Sequence, residues 1–287
     1  MQGDNIFGRP MYFPNETGKR VYLGKRYEKF LRHKGPNLLP TQPYAICAQV
    51  DPWSVAIPFG HIADYIDTRQ ELEYWLTSSD QRVGIVKYIF KEAGITIHRC
   101  GLGGSASLGC ESSDNDIDLL IFGSSTVLLC KQAIESALRS GDLDLMTREI
   151  VSLYVERYAR MYGLNQDYLN SVFSYDLTKV YYRGQKISFI FTYSEDERKK
   201  IPAILYARKS CQAPEICIKA YIIDNTASWL YPRKYIVKKP SGQTYQVWSH
   251  HWLKDPVTPA GTLVEVMGRN LGDGIISLTD MHHHIAP

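Results

Sequence analysis

At 287 residues, with 44% hydrophobic and 22% charged side chains, the chain has enough apolar material for a real core and length for two or three modules. A net charge of +3 falls short of the basic excess of a dedicated duplex-DNA binder; it permits RNA or DNA as a partner without requiring either. Apolar runs such as Ile117–Phe122 are far too short to span a bilayer and residues 1–10 carry no apolar signal core, so a cytoplasmic protein without membrane contact is expected. 

Residues 1–76 are rich in Gly, Pro and Tyr. Val21-Tyr22-Leu23 and the run from Tyr44 to Ala48 read as strands, with the turn-prone Lys34-Gly35-Pro36-Asn37 between them, and Ile62 to Leu76 can add a helix. This is an irregular β-containing module. Residues 77–200 change character. Ser79 or Asp80 can cap a helix with Val83, Val86, Ile89 and Phe90 at helical spacing, and Gly94 stops it. A strand over Ile95 to Cys100 follows, then Gly101-Leu102-Gly103-Gly104-Ser105, then a second strand, Ile117 to Phe122. Helices are expected from Ser125 or Thr126 to Gly141, with Val127, Leu128, Ile134, Ala137 and Leu138 on one side, and from about Thr147 to Tyr162. Two strand-like runs, Asp176–Tyr182 and Lys186–Thr192, are joined by a hairpin turn at Arg183-Gly184-Gln185. Residues 201–287 carry five short strand signals near Ile216–Ile223, Tyr235–Lys238, Thr244–Trp248, Thr262–Met267 and Gly274–Leu278, the pattern of a small barrel. The fold class is therefore α+β, a mixed sheet with helices flanked by β-rich modules.

The six cysteines form no C-x-x-C pair, which argues against a zinc ribbon, and in a cytoplasmic protein their thiols are expected to be reduced. His250-His251 and His282-His283-His284 read as an exposed, silent cluster, because neighbouring residues on a strand face opposite ways. Asp142-Leu143-Asp144 reads as acidic charge at a helix N-terminus. Basic residues beside aromatics, at Arg26-Tyr27, Arg183 and Tyr231 to Lys239, can line a nucleic-acid groove, and ordinary solvated surface is the alternative for each.

The chemistry concentrates in Gly103-Gly104-Ser105 and in Ser113-Asp114-Asn115-Asp116-Ile117-Asp118. A Gly-Ser turn after a strand lets backbone N–H groups approach phosphate oxygens, because glycine has no Cβ in the way, and Ser105 adds a hydroxyl. Asp116 and Asp118, two apart at the head of an apolar strand, leave the same face. Paired carboxylates repel unless a cation lies between them, and an oxygen pair suits Mg2+ or Mn2+.

Gly-Ser, a spacer of about a dozen residues, then D-x-D opening an apolar strand resembles the signature of the nucleotidyltransferase superfamily typified by DNA polymerase beta. Within it the chain is most similar to a group of predicted archaeal nucleotidyltransferases. That likeness rests on Gly18 to Tyr22, Ser113 to Gly123, Tyr181 to Gly184 and Gly261 to Arg269. The resemblance implies a nucleotidyltransferase-type sheet, a nucleoside triphosphate held at Gly104 and Ser105, and metal-binding catalytic carboxylates at Asp116 and Asp118. It implies transfer of a nucleoside monophosphate to a hydroxyl on a nucleic acid, protein or small molecule. Many members carry a third carboxylate on the next core strand. Here that strand is expected at Lys186–Thr192, where Ser188 occupies the approximate position and no acid is present. Asp176 and Asp114 are the other candidates. The departure keeps open a catalytically reduced module that binds nucleotide or nucleic acid without turnover.

Overall fold

The computed structural model describes residues 5–8, 12–29, 45–46, 55–58, 60, 62, 65–109, 116–162, 165–174, 176–206, 212–250, 258–279 and 283–286. Contacts divide the chain into two compact units. One joins residues 1–19, 26–65 and 196–287; the other comprises residues 20–25 and 66–195.

The N-terminal strands are short. β1 (Asn5–Gly8) pairs antiparallel with β6 (Val55–Pro58), which also takes up β5 (Ala45–Ile46). β2 (Tyr12–Pro14) pairs with β4 (Lys25–Lys29), and β3 (Arg20–Tyr22) precedes β4 in the chain. The expected turn at residues 34–37 lies outside the described residues.

The second unit opens with α1 (Thr68–Trp75), shorter than its apolar pattern and fixed at its start by Asp67, whose side chain accepts from the Arg69 N–H at 2.9 Å. α2 (Val83–Glu92) follows, burying Val83, Val86, Ile89 and Phe90 as its spacing requires. The strand expected over 95–100 is displaced. Ile97–Arg99 form a single 3-10 turn, and β7 runs over Cys100–Gly103. There α1 packs so closely that a Cβ on Gly101 would stand 2.6 Å from Thr68 Oγ1. β8 (Ile117–Phe122) leads through Gly123 into α3 (Ser124–Ser140). The stripe α3 buries is Val127, Cys130, Ala133, Ile134 and Ala137; Leu128, expected on it, is 57% exposed. α4 (Arg148–Tyr162) buries Val151 and Val155. α5 (Gln166–Phe173) was not foreseen. Its signal is Asn165, whose side chain accepts from the N–H groups of Asp167 and Tyr168 at 2.7 and 3.2 Å.

β9 (Lys179–Tyr182) and β10 (Gln185–Thr192) form the expected hairpin, and Arg183 and Gly184, with φ of +50° and +78°, make the tight turn between them. The four strands order as β7-β8-β10-β9, with β8 and β10 parallel and the outer pairs antiparallel. Ile117, Leu119, Ile121, Ile187, Phe189 and Phe191 fill one side of the sheet and are almost wholly buried. Burial on that scale contributes ~1.5–3 kcal/mol per side chain.

The C-terminal strands are β11 (Glu215–Asp224), β12 (Arg233–Lys238), β13 (Thr244–Ser249), β14 (Leu263–Gly272), β15 (Ile275–Leu278) and β16 (His284–Ala286). They order as β11-β12-β13-β15-β14-β16, and a further β11–β14 pairing closes the first five into a barrel. β13 and β15 are parallel; the other neighbours are antiparallel. Alternate side chains, among them Ile218, Tyr235, Val247 and Val266, fill the interior. The α+β class and the five-stranded barrel expected from the sequence are both present. No helix among the described residues is long and apolar enough to cross a membrane.

Candidate functional site

The site is built on the face of the four-stranded sheet opposite its core. Ile117, Leu119 and Ile121 point inward, which puts Asp118 on the partly exposed face, with Asp116, also partly exposed, one residue before β8. β7 lies alongside, Gly103 in register with Asp118. The chain then bends at Gly104, with φ +65°. A Cβ added there would lie 2.1 Å from Asp118 Oδ2 and 3.1 Å from Cγ. Any side chain there would have to push the Asp118 carboxylate aside, because the carboxylate fills that space. Sequence reasoning asks for glycine to let phosphate approach; the geometry adds that glycine makes room for Asp118.

Ser105 follows, 7% exposed, and opens a 3-10 turn over Ala106–Leu108 that ends at Gly109. Ser107 Oγ donates to the Gly104 carbonyl at 3.0 Å, which steadies the bend. Gly104, Ser105 and Asp118 are thus brought together. Ser113, Asp114 and Asn115 lie outside the described residues.

β10 supplies the other wall. Ser188 is in parallel register with Asp118, and its hydroxyl donates to Asp116 Oδ2 at 3.3 Å. A serine therefore stands beside the two aspartates on the next core strand, as the sequence spacing requires. Two residues earlier on the same face is Lys186, which sequence reasoning missed. Its Nζ donates to Asp116 Oδ2 at 2.8 Å and to the Tyr154 hydroxyl at 3.2 Å. The available signal was the strand's single charged residue, a lysine at the i−2 position from Ser188. Burial works against the ammonium charge, but the hydrogen bond and charge of Asp116, helped by Tyr154, outweigh it and hold Lys186 above its ordinary value.

Aromatic rings back this pair. The Lys186 ammonium lies 5.9 Å from the Tyr154 ring centroid, and Tyr154 packs edge-on to Phe173 at 5.5 Å. Tyr181 has its phenol raised, first by burial and then by Tyr154 and Asp116, with Lys186 opposing. The backbones of Tyr181 and Asp144 bridge through reciprocal hydrogen bonds of 2.8 and 2.9 Å. The second D-x-D is therefore a strand-like contact plus a loop carboxylate, Asp142, taking a 2.6 Å hydrogen bond from Ser140, rather than helix N-terminal charge. Farther back, Arg82 is clamped by Asp80 at 2.6 Å and donates to the Lys186 carbonyl at 3.4 Å, tying the start of α2 to the start of β10.

Asp176, the alternative third acid, is committed elsewhere. It accepts from the Thr178 N–H at 3.0 Å and pairs with the buried Lys179. The histidine expectation needs correction too. His250 is 8% exposed and His283 is fully buried, with Nδ1 accepting from the Thr279 N–H at 3.1 Å; both rings are packing residues of their fold rather than surface ornaments. His251 and His282 lie outside the described residues.

No group of three or more His, Cys, Asp or Glu side chains gathers among the described residues. The donor set is two carboxylates and the Ser188 hydroxyl, all hard oxygens. Mg2+ commonly takes one or two protein carboxylates and completes its shell with substrate phosphates and water, so this set fits such an ion. Cys100 and Cys130 are buried free thiols remote from this chemistry in kind; burial pushes Cys100 up to about 12, far from a reactive thiolate. No protein-family model, curated protein or solved structure matches the chain.

Proposed function

We propose that the chain is a metal-dependent nucleotidyltransferase. It moves a nucleoside monophosphate from a nucleoside triphosphate to a hydroxyl acceptor on a nucleic acid, protein or small molecule and releases pyrophosphate. The observation that carries this reading is the approach of the Asp118 carboxylate to the Gly104 bend, with Asp116 beside the same strand. In this reading the bend offers backbone N–H groups and the Ser105 hydroxyl to the triphosphate. Asp116 and Asp118 would hold Mg2+ or Mn2+, which supplies neutralisation of the phosphate charge. Lys186 and Ser188 fix the Asp116 carboxylate through their hydrogen bonds. The acceptor oxygen forms a bond to the α-phosphorus while the bond from that phosphorus to the bridging oxygen breaks. The hydroxyl proton passes to a carboxylate or to solvent, and pyrophosphate departs with the electron pair.

The test is titration calorimetry with Mg2+ and each triphosphate, followed by a pyrophosphate-release scan across acceptors. Asp116→Asn and Asp118→Asn are expected to lower transfer by ~100-fold or more while leaving the circular dichroism spectrum unchanged, the scale on which electrostatic catalytic groups act. Undiminished transfer in both variants would remove these residues from the chemistry.

The Lys186–Asp116 pair favours a second reading, because an ammonium already neutralises one carboxylate and a serine stands where a third acid is wanted. In it the unit binds nucleotide without turning it over. Tight triphosphate binding that survives EDTA and never yields pyrophosphate distinguishes this reading from the first.

A further inference from the structure

We propose that the outer face of the C-terminal barrel, over the second half of β11 with β12 and β13, binds a single-stranded polynucleotide. The strand order β11-β12-β13-β15-β14, closed by β11–β14 with β13 and β15 parallel, is that of an OB-type barrel. Barrels of this kind present the outward side chains of their second and third strands to oligonucleotides or oligosaccharides. The side chains of this chain decide between the two.

Tyr235, Val237, Tyr245 and Val247 point into the core, so the residues that alternate with them along β12 and β13, flanking ones included, point out. Lys234, Lys238 and Thr244 are among these, each at least partly exposed. In register beside Lys238 stands Tyr221 of β11, 45% exposed, with Lys219 and the 49% exposed Ile223 two residues to either side. A tyrosine ring this exposed contributes little to the core. The nearest acids are Asp224 and Glu265, the latter in register with Lys219 across the β11–β14 pairing. Asp224 accepts from the Thr226 N–H at 2.8 Å, and Glu265 lies 3.4 Å from His284 Nε2. Lys238 beside the exposed Tyr221 ring, Lys219 two residues along β11 and Lys234 with its ammonium 5.3 Å from the Trp248 ring centroid set positive charges at intervals along one face, matching phosphates with a base between them, the combination that single-strand binders use. A duplex would bury its bases away from Tyr221, and the modest net charge of +3 also suits a local stripe better than a duplex-binding surface.

This surface does not depend on the Asp116 site, so the test separates the two. Labelled oligouridylate and oligothymidylate of roughly a dozen nucleotides are titrated into the full chain by fluorescence polarisation at about 50 and about 200 mM salt, the range over which phosphate contacts show their salt dependence. Binding that weakens with salt is expected, unchanged in Asp118→Asn. The triple variant Lys219→Gln, Lys234→Gln, Lys238→Gln is expected to bind about tenfold or more weakly and to flatten the log–log salt slope by ~2, since each phosphate contact on a single strand contributes ~0.7. Tyr221→Ala is expected to weaken binding about tenfold at unchanged slope, the mark of lost stacking. Tyr221→Leu, which keeps apolar bulk without the aromatic face, guards against a fold effect and is expected to bind weakly with a wild-type melting curve. Lys87→Gln with Lys91→Gln on α2 serves as the charge control and is expected to bind as wild type. Relative affinity for the two oligomers tells RNA from DNA. No binding at low salt, full binding by the triple lysine variant, or tighter binding to duplex would each overturn the proposal.

Discussion

At Gly104 two demands meet in one residue. The backbone sits at φ +65°, and the space where a Cβ would project is filled by Asp118 Oδ2 at 2.1 Å. Alanine at this position must strain the bend and push the carboxylate aside. Gly104→Ala is expected to cost ~1–2 kcal/mol in urea unfolding, from left-handed strain and the clash together, and to weaken triphosphate binding by calorimetry. A variant that melts and binds as wild type would mean the bend and Asp118 do not lie as described. Much of this residue-scale picture was legible in the sequence, because Gly-Ser and D-x-D are local and the period of a strand fixes which face Asp118 uses. Lys186 was not legible. Its partner Asp116 lies seventy positions away, and nothing local in Lys186-Ile187-Ser188 says which strand will pair with it.

At the scale of elements, the start of α2 is held to the sheet by one charged pair. Arg82 is 3% exposed, takes both oxygens of Asp80 at 2.9 and 2.6 Å, and reaches the Lys186 carbonyl at 3.4 Å. Burial works against the Asp80 charge, but its contacts with Arg82 outweigh that and hold its carboxyl below the ordinary value of 3.8. A depressed carboxylate contributes stability that is present above its unfolded value and lost as pH falls through the folded one. Asp80→Asn leaves a buried guanidinium half-partnered and is expected to cost ~2–3 kcal/mol near pH 7, with the gap from wild type closing below about pH 3.8. Urea titrations at several pH values check this; a gap that stays constant into acid would show that the carboxylate charge is not what holds Arg82. Elements with strong punctuation were read well from sequence: α3 runs between Gly123 and Gly141 much as expected. The strand at 95–100 was misplaced because an irregular stretch and a 3-10 turn over Ile97–Arg99 take up those residues before β7 begins, a tertiary choice that β-propensity does not register. α5 was passed over because eight residues give too few turns for a clear apolar period.

At the scale of the whole chain, five short C-terminal strands and a small barrel were legible in the sequence, but not the strand order that closes it. Spacing and turn residues locate strands, whereas the β11–β14 pairing joins Glu215 to Arg269 and parallel β13–β15 joins Gln246 to Ile275, contacts that no local pattern encodes. The same holds for the candidate site, which takes Gly104 from β7's end, Asp116 and Asp118 from the head of β8, and Lys186 and Ser188 from β10. Its central claim is that these residues gather a divalent cation and a triphosphate in one place. The most direct measurement is a crystal structure of the full chain with Mn2+ and a non-hydrolysable triphosphate, read through the anomalous signal of the metal. The account expects a manganese peak ligated by Asp116 and Asp118, with triphosphate oxygens at the Gly104-Ser105 bend. Triphosphate bound away from that bend, or no peak at the aspartates with Lys186 still paired to Asp116, would contradict it.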